Sequence, residues 1–349
     1  KNIKNGDYSF FSPVESANEF ARVLSENKIP EIEKIEVVGG FINFYLSKSF
    51  FAEAVKEIND KKEECGKTDL LKDQKVLIEH TQPNPFKEFH IGHLMNNAIG
   101  ESVFRITKSN GANAIAVGYH GDVGLHVAKA IYGLNKFLLE LDDFKKVKER
   151  IEEGKDEGIF FTDEPLLNEA LKKAYATGVK LFEEDENVKK EILDINIKLN
   201  NKPGKWLKEL YGAEKNHDLS IFEEIYKKLD SHFDYHFYES ETGEEGKKIV
   251  LENVPKIFEE SEGAVIFRGE NFEPKTHTRV FINSDGIPTY EAKEIGLAKL
   301  KKEKYEYSES ITVTANEQDA FFDVVEVAIG EVFPEIKGKL KHISHGMLK

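Results

Sequence analysis

Apolar positions along the chain follow two rhythms. In the opening segment a helical spacing runs over 14–24, and alternation then takes over in Ile35 and Val37 and, past Gly39-Gly40, in Phe41, Ile42, Phe44 and Tyr45. That pattern predicts a small α+β unit over 1–58. A polar stretch over 59–74, rich in Lys, Glu and Asp, reads as a linker. From Lys75 short apolar runs alternate with helical periods: 76–78 predicts a buried strand, 92–109 a helix stopped by Asn110-Gly111, 114–117 a second strand and 123–141 a second helix. Short βαβα connections build a parallel sheet whose ligands bind beyond the carboxyl ends of the strands. Residues 142–263 are mostly charged and helical in period, with a strand-like run at 235–238, and are expected to form an insertion on that sheet. Strands at 265–267, 279–282 and 311–314 and helices at 290–302 and 318–332 then resume the alternation, so the second domain is expected to cover 75–349.

Composition narrows the class. With 349 residues, 40% hydrophobic and 32% charged, the chain can bury a large core. No apolar run approaches the ~20 residues of a membrane span, so no membrane partner is expected and the protein reads as soluble and cytoplasmic. A net charge of -15 argues against a general nucleic-acid coat, and does not bar a local basic face. The one cysteine, Cys65, fits a reducing compartment and a structural role. Lys1 rather than Met opens the chain and an apolar run closes it, so the sequence is expected to be part of a longer protein.

The densest chemistry follows the first strand of the sheet: Glu79, Asn84, Lys87, His90, Gly92 and His93 within fifteen residues. Pro83 and Pro85 bar a helix there and force an ordered loop over the sheet edge. His90 and His93, three apart at a helix start, can aim both rings at one point beside the helix N-terminus. Gly92 lets a flat group or a phosphate approach the backbone. Two imidazole donors, a helix dipole and Lys87 together suit negative charge growing on a transferring phosphoryl group. A structural or metal-ligand role for the pair is the competing reading, and a zinc site would want two more ligands that the sequence does not offer.

Pro83-Asn84, Lys87 and His90-Ile91-Gly92-His93 resemble the signature loop of the class I aminoacyl-tRNA synthetases, in the form found in arginyl-tRNA synthetases. Further motifs follow in the family's order. Gly121-Asp122-Val123-Gly124 resembles its Gly-Asp-Trp-Gly turn, with Val123 for Trp; Pro288-Thr289-Tyr290 with Glu294 resembles its arginine-reading helix; Val313 to Gln318 its next strand end; and His342 to Met347 the strand before its second signature. The resemblance implies a Rossmann-like catalytic domain that activates L-arginine with ATP, as its Mg²⁺ complex and without zinc, to arginyl-adenylate, and then charges tRNA(Arg). It implies catalytic roles for His90, His93 and Lys87, and ATP contacts from His90, Gly92, His93, His345, Gly346 and Met347. An arginine pocket of Glu79, Asn84, His93, Tyr290, Glu294 and Gln318 is implied as well. The opening unit resembles part of the family's amino-terminal appended domain, which touches the tRNA elbow. A monomer is expected.

Arginine's planar, permanently charged guanidinium needs a carboxylate and oriented acceptors, and Glu294, one turn after Tyr290, shares its helix face. The family commonly has Asp at the Glu294 position, and its Lys-Met-Ser-Lys-Ser type loop and anticodon-binding domain would lie past Met347. Other readings stay open at this stage: Asp122 as a helix cap, Tyr290 as a core aromatic, Trp206 as core, and His217, His232 and His236 as ordinary. The rivals in function are a nucleotidyltransferase or class I synthetase for another substrate, and a synthetase-like protein that binds arginine or tRNA without catalysis.

Overall fold

Alternation at the start of the chain becomes a three-stranded antiparallel sheet with two helices. In the computed structural model, which describes residues 6–155, 164–200 and 203–346, the N-terminal unit Lys1–Thr68 holds β1 (Tyr8–Phe11), α1 (Val14–Glu26), β2 (Ile32–Val38), β3 (Phe41–Leu46) and α2 (Lys48–Lys61). The strand order is β1-β3-β2. Ala17 of α1 and Ile42 of β3 are fully buried at its centre, and the Asp7 carboxylate accepts the Leu46 N–H at 2.8 Å to fasten the sheet edge. Tyr8, Phe10, Phe11 and Phe41 stay exposed.

The second unit, Asp69–Lys349, starts inside the polar stretch 59–74. Its first elements are β4 (Lys75–Glu79), α3 (Ile91–Ser109), β5 (Asn113–His120) and α4 (Leu125–Leu139). Helices α5 (Asp142–Glu152), α6 (Glu164–Glu184), α7 (Glu186–Asn200) and α8 (Lys205–Lys228) follow, then β6 (Tyr235–Tyr238) and α9 (Glu239–Glu252). An antiparallel trio of β7 (Glu259–Ser261), β8 (Ala264–Phe267) and β9 (Arg279–Ile282) leads to α10 (Tyr290–Tyr305), β10 (Glu309–Ala315), α11 (Asp319–Val332) and β11 (Leu340–His345).

The main sheet is parallel throughout, in the order β11-β10-β4-β5-β6. The chain winds from β4 outward through β5 and β6, then returns to lay β10 and β11 on the other side. The switch point therefore lies between β4 and β10, where such Rossmann-like sheets open a crevice at their carboxyl edge. Val76, Leu77 and Ile78 are almost wholly buried because helices cover both faces of β4.

Tyr235–Tyr238, expected inside the insertion, instead forms the outer strand β6, with Gly118 opposite His236. Among the described residues, α4 and then the helices α5 to α8 lie between β5 and β6, and α5 to α8 make the insertion. They pack on α4 around Ile131, Leu134, Leu138, Ile151, Trp206 and Leu210, which gives Trp206 the core role expected of it. Its indole N–H donates to Asn135 Oδ1 at 2.7 Å.

Helices α9 and α10 cross at Gly246 and Gly296 with backbones in contact. A β-carbon on Gly246 would lie 1.8 Å from the Ala292 carbonyl oxygen, and one on Gly296 2.1 Å from that of Thr242. Only hydrogen fits at either position.

Candidate active site

The segment between β4 and α3 is held in a contorted path. Thr81, Gln82 and Phe86 all adopt left-handed backbone angles, at φ 71°, 49° and 69°, and such strain persists only where the surroundings over-determine it. Thr81 Oγ1 lies 2.7 Å from His80 Nδ1 and accepts from Asn97 Nδ2 at 3.0 Å. Gln82 donates to the Glu79 carboxylate. The Phe86 N–H donates to Asp218 Oδ2 of α8 at 2.6 Å while its ring stacks on Tyr211. The insertion's last helix is thus the seat on which the loop rests.

His90 is the N-cap of α3, and its Nδ1 accepts the Gly92 N–H at 3.1 Å. His93 reciprocates by accepting the His90 N–H on its own Nδ1 at 3.2 Å. The rings stack with centroids 3.7 Å apart and 19° between planes. Because both Nδ1 atoms accept, the proton of each neutral ring sits on Nε2, so the pair offers two N–H donors at a helix N-terminus. Burial, then His90 and Lys87, hold His93 down to about 4, so it is neutral near pH 7. Lys87 is exposed beside them.

The acidic side of the site is richer than the sequence suggested. Glu79 is 1% exposed and pairs with Lys301 of α10, itself 5% exposed. Glu294 is lifted to about 8, first by burial and then by the Glu79 charge, with Lys301 pulling the other way. A third carboxylate, Glu239 at the start of α9, pairs with Lys293 at 2.5 Å. Burial raises it, against the pull of Lys293. Tyr119 lies among all three: its hydroxyl is 2.7 Å from Thr242 Oγ1, and burial followed by Glu239, Glu294 and Glu79 pushes it well above the ordinary phenol range.

Asn84 joins this group through Gly121. Its Oδ1 accepts the Gly121 N–H at 2.9 Å, and a β-carbon on Gly121 would sit 2.7 Å from that oxygen and 3.0 Å from Glu239 Oε1. Tyr290 opens α10 at 61% exposure, so it is not the core aromatic of the alternative reading; the Lys293 ammonium lies 5.0 Å from its ring centre. Gln318 is exposed just past the end of β10, and His345 and Gly346 stand at the end of β11, with Ala315 paired to His345. Met347 lies outside the described residues.

Asp122 does not cap a helix, because the N-cap of α4 is Gly124. Its carboxylate, fully buried, instead binds Lys215 Nζ at 2.6 Å, Tyr211 OH at 2.7 Å, and Ser240 through N at 2.9 Å and Oγ at 2.7 Å. Burial pushes its pKa up, but Lys215, Ser240 and Tyr211 together hold it below the usual range. It ties the turn after β5 to α8 and α9.

Glu239 and Lys301 escaped the sequence reading. The only signal for Glu239 was its place directly after the strand-like run 235–238, which marks a sheet edge once that run is recognised as a sheet strand. The cavity beside Glu294, Lys301 and Thr312 measures about 20 Å³, room for a single water. A cavity of about 870 Å³ between the β8–β9 loop and α11 contains none of the expected site residues. Two of the carboxylates here are already paired with lysines of α10, Glu79 with Lys301 and Glu239 with Lys293. Among the described residues no cluster of three or more His, Cys, Asp or Glu could hold a metal ion, and no helix is long and apolar enough to cross a membrane.

The chain is similar to known proteins. The chain is 28% identical over 323 residues to the arginine–tRNA ligase of Borreliella afzelii, covering 90% of this chain and 52% of that protein. It is 28% identical over 346 residues to that of Treponema denticola, covering 97% and 55%. The chain thus spans about half the length of the curated relatives it matches. Among solved structures, the arginyl-tRNA synthetase of Plasmodium falciparum superposes with a TM-score of 0.66 at 20% identity, over 99% of this chain and 60% of that one. That of Thermus thermophilus gives 0.54 at 19%, over 99% and 61%; at such identities the likeness is one of fold. Residues 54–349 match the family described as tRNA synthetases class I (R), catalytic domain, and the chain belongs to that family.

Proposed function

We propose that the site condenses L-arginine with ATP to arginyl-adenylate, and that the longer protein passes the arginyl group to the 3′ end of tRNA(Arg). One observation carries this reading: two stacked histidines, each locked with its proton on Nε2, stand at a helix N-terminus beside a buried group of three carboxylates. The first feature suits a phosphoryl group in reaction and the second a cationic amino acid. The arginine carboxylate attacks the α-phosphorus, the bond to the β-phosphate breaks, and pyrophosphate leaves with the magnesium that entered with ATP. The Nε2–H groups of His90 and His93, with Lys87, stabilise charge on the α-phosphate oxygens, and His345 and Gly346 at the neighbouring strand end are placed for the nucleotide.

Asn84 is assigned to the α-amino group; Glu294, Tyr290 and Glu79 to the guanidinium, with Gln318 completing the rim. Glu239 joins them on the strength of its proximity to Asn84 and Tyr119. The relatives named for arginine support this choice over another amino acid, and the retained histidine pair argues against a purely binding role. The exposed rings of Phe11 and Phe41, paired across β1 and β3 in the N-terminal unit, offer an aromatic surface for the tRNA elbow. Cytoplasmic action as a monomer completes the proposal.

ATP–pyrophosphate exchange across the amino acids tests it, with calorimetric titration of arginine and lysine into this chain. Exchange stimulated by an uncharged amino acid and not by arginine would refute the assignment.

A further inference from the structure

Behind the strained loop runs a line of hydrogen bonds that none of the roles above uses. His120, at the end of β5, is 1% exposed. Its Nδ1 lies 2.6 Å from the Pro83 carbonyl oxygen, and its Nε2 lies 2.9 Å from Nδ1 of His236 on β6. His236 Nε2 in turn lies 3.2 Å from Glu223 Oε1 of α8. The direction of every bond follows from the first. A carbonyl can only accept, so His120 carries its proton on Nδ1 and presents a lone pair at Nε2. His236 must donate from Nδ1, which leaves a neutral His236 with a lone pair at Nε2 facing the Glu223 carboxylate. Two acceptors then oppose each other, and one further proton, shared between His236 and Glu223, completes the line.

The inner end matters because of where it terminates. The Pro83 carbonyl and the Asn84 nitrogen belong to one rigid peptide plane. Asn84 is followed by Pro85, which confines it to extended backbone, and its side chain is tied to Gly121. With the plane anchored, the direction of the Asn84 amide is fixed. The other groups around the line are Phe222, Tyr226 and Glu223 from α8, and Phe233 and Tyr238 flanking or ending β6. The nearby charges on His120 are Asp122 and Lys215. Burial holds His120 to about 3 and also lowers His236, which Glu223 opposes. Of the two rings the outer one therefore takes the extra proton first, and burial makes it do so below the ordinary imidazole range.

We propose that His236 is a positioning residue for the amino-acid site: through His120 it anchors the Pro83 carbonyl and so aims Asn84, and a proton shared with Glu223 tightens the anchor. The consequence for arginine rests on the assignment of Asn84 made above, whereas the anchoring itself does not.

Nitrogen-15 NMR of the imidazoles and of the Asn84 side-chain amide in this chain separates the two. At pH 8 both His120 and His236 should be Nδ1–H tautomers, the minor form of free histidine, and on acidification only His236 should gain a second N–H. His236→Leu should move the Asn84 amide resonances, and His236→Asn, whose amide can donate from the Nδ1 position, should restore them. Glu223→Gln supplies a donor to His236 Nε2 without a proton, so it should abolish the pH dependence of the Asn84 signals. An Nε2–H tautomer at His120, or Asn84 signals unmoved in His236→Leu, overturns the proposal. In calorimetry His236→Leu should weaken arginine binding on the order of tenfold, about the loss of one hydrogen bond, and His236→Asn by little. If wild type binds no arginine while the tautomers and Asn84 shifts are as expected, the functional reading falls and the anchor stands.

Discussion

His90 and His93 cap each other: the Nδ1 of His93 accepts the N–H of His90 at 3.2 Å, while His90 caps Gly92 with its own Nδ1. Structure and chemistry are thereby divided between the two nitrogens of each ring. Asn is a good N-cap and Gln serves at the third helical position, so His90→Asn and His93→Gln should leave thermal stability within about 1 kcal/mol of wild type. Adenylate formation should fall on the order of 10²-fold in each. Pyrophosphate exchange beside thermal denaturation checks the split, and an active variant of either kind would remove the ring from the chemistry.

Glu294, lifted to about 8 by burial and the Glu79 charge, should carry a proton when the site is empty and lose it to a guanidinium. Arginine affinity should then rise with pH between roughly 6 and 8, by up to tenfold per unit when one proton is released. The sign for stability is opposite. A carboxyl raised above its unfolded value favours the fold at low pH, and that contribution fades as pH climbs from the ordinary glutamate range through about 8. Titrations in buffers of different ionisation enthalpy count the proton. Glu294→Gln should flatten the slope and weaken arginine, with ATP binding little changed.

Asp122 and Lys215 form a pair in which the carboxylate is wholly buried and the lysine 16% exposed. Removing one partner strands the other charge, so Asp122→Ala and Lys215→Met should each cost about 3–5 kcal/mol. The double substitution should cost less than their sum. Urea unfolding of the four proteins measures the coupling, and strict additivity would mean that Asp122 is held by Ser240 and Tyr211 alone.

Gly296→Ala places a methyl carbon 2.1 Å from the Thr242 oxygen. The two helices must part, at a cost of about 1–3 kcal/mol or more. Gly263→Ala, at a left-handed turn with its nearest neighbour 3.9 Å away, supplies a contrasting cost from backbone strain without crowding. Loss of arginine binding in Gly296→Ala alone would tie the crossing to the site.

The sheet and its loop were legible because their signals are local. Buried β4 stands out as an apolar run, Pro83 and Pro85 forbid helix, and a histidine pair three apart at a helix start defines its own geometry. Arg279–Ile282 was bounded correctly for the same reason. What was not legible depends on pairing across the chain. Tyr235–Tyr238 is four residues long within a helical, charged neighbourhood, and only its partner β5 makes it a sheet strand. His236 read as ordinary because its partners His120 and Glu223 lie 116 and 13 residues away. Lys301 carries no local signal, because its partner Glu79 lies 222 positions earlier in the numbering. Asp122 followed a common local rule for caps and was claimed by residues 89 to 118 positions on.

Where α9 and α10 touch backbone to backbone, nothing remains that can yield. Glu239 rides on one helix and Tyr290, Lys293 and Glu294 on the other, so that wall of the site behaves as a single casting. A visiting side chain cannot make room there by wedging the helices apart. Under the proposed reading room has to come from long, jointed side chains swinging aside, and Lys293 and Lys301 already hold Glu239 and Glu79. If the proposed site admits arginine, admission becomes an exchange of one cation for another, in which a visitor without a positive charge has nothing to trade.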